Sequence, residues 1–386
     1  MRTEGDLIKI NDWLLPLSWI YGGMVRFRNW LFDIGLKKSQ SFSIPIISVG
    51  NITVGGSGKT PHVEYLIRLL HDKVKIAVLS RGYKRKTSGY VLADKDTTMS
   101  EIGDEPFQMH SKFDDIYVAV DAKRVRGIEK LQNEEPTKDV DVVLLDRYVK
   151  PGINILLVDY HRLIIYDKML PAGRLREPLS GKNRADIVII TKCPKDLKPM
   201  EFRVLTKAMD LYPFQKLYFT CINYDTPKGV FEDQQIAKEE LKNYHALLVT
   251  GIASPKQMEH DLKPMVKSMQ SLSFGDHHRF KNKDITRINE AFEQMPEPRL
   301  IITTEKDAVR LKETEGLYEI VKKSIYELPI KVSFMLEQED NFNDKIISYV
   351  RKNSRNSILA KRKDDNKSED SNHTGNRSRT ISFRNN

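Results

Sequence analysis

The stretch PIISVGNITVGGSGKTPHVEYLIRLL, Pro45–Leu70, decides the fold. It opens with Pro45-Ile46-Ile47-Ser48-Val49, an apolar run of strand length. Gly50, Gly55, Gly56 and Gly58 then form a glycine-rich turn that leads into Lys59 and Thr60. Val63, Leu66, Ile67 and Leu70 recur at helical spacing on one face. Strand, glycine turn, Lys-Thr and helix together make a phosphate cradle. The loop Gly55-Gly56-Ser57-Gly58 turns backbone N–H groups inward, and the helix N-terminus adds partial positive charge. Lys59 is placed to reach the outer phosphates of a nucleotide, and the Thr60 hydroxyl to hold Mg²⁺. The strict pattern G-x-x-x-x-G-K-[ST] is not met, because Thr53 occupies the first glycine position. A purely structural turn is the alternative. The buried strand before the loop and the amphipathic helix after it favour the nucleotide site.

Downstream the pattern alternates strand and helix as far as about Lys192. Lys75–Leu79, Ile116–Val120, Asp141–Leu145, Ile153–Val158 and Ala185–Ile190 are near-continuous apolar runs. Runs without alternation belong to strands buried on both faces, hence to a parallel sheet covered by helices. The expected class is α/β, a doubly wound, P-loop kinase-like sheet domain with a second, smaller α/β domain. Ligands in such sheets sit at the carboxyl ends of the strands. Tyr218–Val230 reads as a connecting stretch, and a second series starts at Ala246–Thr250 and continues through Ser271–Phe274 and Leu300–Thr303. The expected division is an N-terminal helical segment over 1–40, the nucleotide domain over 41–215, the smaller domain over 216–350 and a disordered basic tail over 351–386.

Composition limits what such a chain can be. With 386 residues, 40% hydrophobic and 30% charged, it has the make-up of a globular protein able to bury a large core. The net charge is +10, and residues 351–386 hold ten Lys/Arg against four Asp/Glu, so +6 of the excess lies in the tail. The folded part is only mildly basic, which gives no ground for a nucleic-acid partner. The tail is poor in apolar residues, and a weak contact with an anionic membrane surface is the functional alternative to a merely solvated end. Cys193 and Cys221 form neither a disulfide framework nor a metal pattern, which suits a reducing cytosol.

The first 40 residues stand apart. Leu7, Ile10, Leu14, Leu17, Tyr21, Met24 and Leu31 fall on one stripe, and all three tryptophans, Trp13, Trp19 and Trp30, lie beside it. Acidic Glu4 and Asp6 stand where a signal peptide would be basic, and Trp13–Val25 is too short an uncharged run to span a bilayer. Tryptophans with Arg26, Arg28, Lys37 and Lys38 at the margin suit a helix lying in a membrane interface. The alternative is a helix packed on the core.

Phosphoryl transfer also needs a metal, a base for the incoming hydroxyl and cations over the transferring group. Asp146, after the strand Asp141–Leu145, is placed to hold Mg²⁺, or to cap the strand. Gly103-Asp104-Glu105-Pro106 offers two adjacent carboxylates. Asp276-His277-His278 offers a carboxylate–imidazole pair able to accept a hydroxyl proton near neutral pH. Taken singly, each could be a solvated turn. Zinc does not fit Asp-His-His, since adjacent histidines lack helical metal-site spacing. Arg174 and Arg176, in Leu170–Pro178, could grip phosphate or form a structural ion pair.

Taken together, SVGNITVGGSGKTP, SRGYKR, GDEP, RYVKPG, LLPAGRLREP, TGIASP, FGDHHRF and TTEKDAVRL occur in an order that resembles the tetraacyldisaccharide 4'-kinases of lipid A synthesis, over about Trp13 to Leu311. That family uses the same displaced glycines. The resemblance implies two α/β/α domains with the active site between them. It implies transfer of the ATP γ-phosphate to the 4'-hydroxyl of a tetraacyldisaccharide 1-phosphate, giving lipid IVA at the cytoplasmic face of an inner membrane, by a peripheral, monotopic protein. Lys59 and Thr60 would serve ATP and Mg²⁺. Asp104 would be the base, paired with His277 of the other domain, and Glu105 would help organise the metal. Arg176, Glu177 and Asp276 would line the site. The chain departs from the family after Leu145, where Asp146-Arg147-Tyr148 replaces an Asp-Asp pair and a short segment ending Gln-His. Asp146 would then cover the metal role alone or with Glu105. The alternatives are a catalytically impaired nucleotide- and lipid-binding homologue, or a P-loop GTPase-like binding protein. The latter lacks its guanine-reading Asp, because Thr191-Lys192-Cys193-Pro194 has Pro there.

Overall fold

The structure is a computed structural model that describes residues 10–36, 40–145, 149–252, 255–275 and 278–354. In chain order, α1 (Leu15–Asp33) precedes β1 (Ile46–Gly50), and α2 (Lys59–Leu70) follows the glycine loop. Next come β2 (Ile76–Ser80), the short β3 (Val91–Leu92), the single turn α3 (Met99–Ile102), α4 (Asp104–Lys112), β4 (Tyr117–Val120) and α5 (Arg124–Asn133). The first unit continues with β5 (Val142–Leu145), β6 (Ile153–Asp159), β7 (Ile187–Thr191), α6 (Pro199–Met209) and β8 (Lys216–Tyr224). The second series is β9 (Lys228–Gly229), β10 (His245–Thr250), α7 (Lys256–Leu262), β11 (Ser268–Ser273), α8 (Asn282–Glu293), β12 (Arg299–Thr304), α9 (Glu305–Lys312), α10 (Glu319–Lys323) and β13 (Ile325–Leu328). The chain then returns through β14 (Ile330–Phe334) to α11 (Glu339–Asn353).

Nine strands form the large sheet in the order β14-β8-β7-β6-β1-β5-β2-β4-β3. They pair in parallel except at the two edges, where β3 and β14 run antiparallel to their neighbours. The expected doubly wound α/β architecture is therefore present. Its cause is visible along single strands. In β1, Ile47 and Val49 face one core, with α2, α4 and α11, while Ile46 faces another, with α5. In β6, Ile155 and Leu157 join the first core, while Leu156 and Val158 join a third, under α6. Both faces are covered, so both sets of side chains are apolar. β1 lies mid-sheet between β5 and β6, with its loop at the carboxyl end.

Sheet membership corrects two expectations. Tyr218–Val230 is not simply a connection: β8 pairs in parallel with β7 and buries Tyr218, Phe219, Thr220 and Cys221. Polar residues interleaved with the apolar ones hid that strand. The smaller unit is also narrower than 216–350. Its five strands, in the order β11-β10-β12-β13-β9, begin after β8 and end before β14, and β14 and α11 belong to the large unit. The two crossings run side by side, tied by the Asp225 N–H to the Pro329 carbonyl at 2.8 Å. Of the tail expected over 351–386, residues 351–353 instead complete α11, and those beyond Ser354 lie outside the described residues.

α1 inverts the usual amphipathic logic. Its packed face is small, with Ser18 and Val25 buried and Gly22 close against Met169. Its outer face carries Trp19, Ile20, Met24, Phe27 and Trp30, all more than half exposed, and Trp13 in the preceding turn is 93% exposed. No described helix is long and apolar enough to cross a membrane.

Candidate active site

The glycine loop is held from three sides. The Val54 N–H donates to the Arg174 carbonyl at 2.8 Å and the Arg176 N–H to the Ile52 carbonyl at 2.9 Å, so the loop borrows a strand partner from Leu170–Pro178. From the end of β7, the Thr191 hydroxyl donates to the Ser57 carbonyl at 3.0 Å. Lys192, next in sequence, donates to the Gly56 carbonyl and pairs with Asp159 at 2.7 Å. Gly58 has φ +82°, a left-handed conformation costly for other residues, and it turns the chain so that Lys59 and Thr60 begin α2. The Ser57 hydroxyl is buried with no partner among the described residues. Loop and helix thus present N–H groups and a lysine to one space, as an anion site requires.

That space is a cleft of about 490 Å³ between the two units. Gly55–Thr60 form one wall and the start of α4 another, with Asp104 and Glu105, while the small unit contributes Thr304, Glu305 and Lys306. Gly103 sets the approach of α4. Its φ is +91°, and a Cβ there would lie 2.9 Å from the Tyr83 carbonyl. Asp104 and Glu105 are both partnered across the cleft, Asp104 with Arg310 and Glu105 with Lys306 at 3.4 Å. Farther along, Lys112 joins buried Glu64 of α2 at 2.7 Å and also pairs with Glu305.

The other expected site residues separate. Arg176 lines the cleft, with Nη2 donating to the Asn51 carbonyl at 3.1 Å and to the Asn51 side chain, while its buried Nε has no partner among the described residues. Glu177 is not in the cleft wall. It is buried, pairs with Arg184 and lies 3.7 Å from Arg28 of α1, so its carboxylate ties the N-terminal helix to the body of the domain. Asp146, Asp276 and His277 lie outside the described residues. His278 beside them is a packing group, stacked on Phe274 and bonded to Asp284 at 2.9 Å.

The family model for tetraacyldisaccharide-1-P 4'-kinase, LpxK, matches residues 10–351. This chain belongs to that kinase family. The tetraacyldisaccharide 4'-kinase of Phocaeicola vulgatus is 57% identical over 362 residues, 92% of this chain and 99% of that protein. The one from Bacteroides thetaiotaomicron is 50% identical over 375 residues, 93% and 98% of the two chains. A crystal structure of LpxK from Aquifex aeolicus in complex with ATP matches with a TM-score of 0.66 and 29% identity, covering 87% of this chain and 98% of that one. The protein is thus a P-loop phosphotransferase that uses ATP, and neither the impaired homologue nor the GTPase-like reading finds support.

As in other kinases of this type, the metal question turns on oxygen donors. No group of three or more His, Cys, Asp or Glu that could hold an ion occurs among the described residues. Mg²⁺ is commonly held by one or two protein oxygens together with substrate phosphates, without a protein cage. The Thr60 hydroxyl and the Glu105 carboxylate line the cleft and are donors of that kind.

Sequence reasoning passed over Lys192, Arg310 and Lys306. Lys192 left a signal as a charged residue at the carboxyl end of a buried strand, and Lys306 and Arg310 stand inside the motif TTEKDAVRL, which gave no role to either. His62 was missed too. It accepts the end of the loop into the helix, with Nδ1 2.7 Å from the Gly58 carbonyl and Nε2 3.1 Å from the Thr220 hydroxyl. Burial, opposed by the Gly58 bond and aided by nearby Lys192, lowers its pKa to about 4. Below pH 6.5 the unfolded chain takes up a proton that the folded chain refuses until about pH 4. Stability therefore falls as pH drops through that window, by up to about 3 kcal/mol. Urea midpoints measured at pH 7 and pH 5 should show the loss, and His62→Gln should flatten it.

Proposed function

We propose that the protein transfers the γ-phosphoryl group of ATP to the 4'-hydroxyl of a tetraacyldisaccharide 1-phosphate, giving lipid IVA, with Mg²⁺ as the metal and at the cytoplasmic face of the inner membrane. The observation that carries this reading is the single cleft in which the cradle Gly55–Thr60 faces Asp104 and Glu105. Backbone N–H groups of the loop receive the β-phosphate, and Lys59 draws charge from the transferring group. Arg176, with a buried donor to spare, steadies an outer phosphate oxygen. Thr60 and Glu105, and Asp146 by its place in the sequence, would hold Mg²⁺, which when bound neutralises phosphate charge in the transition state. Asp104 takes the proton of the 4'-hydroxyl while the 4'-oxygen bonds to the γ-phosphorus. The bond from that phosphorus to the β,γ-bridging oxygen breaks, and ADP leaves with the electron pair. His277 and Asp276 complete the acceptor side in this reading.

The substrate is a lipid, and α1 supplies the face to meet it. Its exposed tryptophans, phenylalanine and aliphatic side chains suit the bilayer interface and lie beside the Arg176 loop, where the Tyr21 hydroxyl donates to the Arg176 carbonyl at 3.1 Å. The test presents the disaccharide monophosphate in anionic vesicles with Mg-ATP and follows the label from γ-phosphate into lipid. Transfer to the 4' position is expected, and labelled lipid absent at all enzyme concentrations would refute it. Trp13→Ser/Trp19→Ser/Trp30→Ser should weaken vesicle binding by roughly tenfold or more, with ATP binding unchanged. Undiminished sedimentation with vesicles would reject the interfacial role.

A further inference from the structure

We propose that Arg310 is a positioning residue for Asp104, so that the small unit aims the base of the large one. The proposal rests on Asp104 acting as the base. Arg310 is 5% exposed and is fixed before it reaches the cleft. Its Nη1 donates to Asp307 at 2.8 Å and to the Gly251 carbonyl at 3.3 Å. Asp307 is itself fully buried and locked, receiving the Gly251 N–H at 2.8 Å and the Thr304 hydroxyl at 2.7 Å. The remaining arm, Nη2, donates to Asp104. A planar guanidinium anchored along one edge offers the other in a single direction, which a lysine ammonium cannot do.

The surrounding charges share this geometry. Asp104 and Glu105 open α4 and meet Arg310 and Lys306, whereas Lys112 at the end of α4 meets Glu305 at the start of α9. The two helices therefore match charge in antiparallel register across the units. Docking α9 on α4 and orienting the Asp104 carboxylate are one event. One Asp104 oxygen is occupied by Arg310, and the carboxylate is thereby held for the acceptor hydroxyl rather than swinging with solvent.

The experiment is a double-mutant cycle in the full-length enzyme with Mg-ATP and the disaccharide monophosphate. Asp104→Asn, Arg310→Gln, Arg310→Lys and the Asp104→Asn/Arg310→Gln double variant are compared. Arg310→Gln should lower kcat by about 10- to 100-fold with little change in KM for ATP, and Arg310→Lys should recover only part. In the Asp104→Asn background the same change should cost less than about threefold, because the amide that Arg310 would then orient cannot accept the hydroxyl proton. An equal loss in both backgrounds, or full activity of Arg310→Gln, overturns the proposal. If Arg310→Gln does not fold, the cycle is read with Arg310→Lys, which keeps the charge beside Asp307, and the same two outcomes decide. Full activity of Asp104→Asn overturns the base reading and the positioning role with it. An inactive Asp104→Asn with additive Arg310 effects removes the positioning role alone.

Discussion

Asp104→Asn is expected to lower kcat for phosphoryl transfer by about 10²- to 10⁴-fold, the range for losing a positioned general base. Asparagine keeps the size of the side chain, and its carbonyl oxygen can still accept from Arg310. The fold and the docking of α9 on α4 should therefore survive, and what is lost is the capacity to accept the hydroxyl proton. KM for ATP should stay close to its original value, because Asp104 lies outside the Gly55–Thr60 wall of the cleft that is proposed to hold the nucleotide. Steady-state kinetics with both substrates, beside a melting curve, check this. A variant within tenfold of the parent kcat would remove Asp104 from the chemistry.

Lys59→Met is the second large effect. Lys59 is the first residue of α2, placed there by the left-handed Gly58, and it lines the cleft with the loop. Methionine keeps the helix and most of the side-chain volume while removing the ammonium group. Without it the charge developing on the transferring group loses a movable cationic donor. A fall of about 10²- to 10³-fold in kcat is expected, as for the removal of one transition-state donor, together with weaker ATP binding. Unlike Asp104→Asn, this variant should also fail to hydrolyse ATP in the absence of lipid acceptor. Nucleotide titration by calorimetry and initial rates separate the two effects. Unchanged ATP affinity and rate would show that the loop backbone alone carries the phosphates.

Much of this was legible in the chain. A doubly wound sheet follows from the apolar runs, because strands covered on both faces cannot alternate. The phosphate loop follows from local geometry: glycines at the turn and a Lys-Thr pair at a helix start act within a few residues of one another. The order of motifs, down to TTEKDAVRL, added the family. β8 was not legible, because Thr220 and Asn223 break its apolar run and only pairing with β7 and β14 reveals it. Glu177 was not legible either. A carboxylate next to a site arginine reads as site-lining, and only the fold shows that it is buried with ion pairs to Arg184 and to Arg28 of α1.

The sequence by itself determined the class of fold, the nucleotide cradle, the pair Asp104-Glu105 and the concentration of tryptophans at one end. Each rests on interactions between near neighbours in the chain, or on side-chain character alone. Only the tertiary structure decided how the units share the site. Asp104 and Arg310 are 206 residues apart in sequence, and nothing local to either tells that one completes the other. The same holds for α1, whose composition told that it has apolar residues to spare but not which would be covered. Packing settled that by placing Ser18, Gly22 and Val25 inward, which leaves the large side chains outside. Contacts between distant segments depend on how elements dock, and docking is fixed by complementary surfaces that exist only once the whole chain has folded.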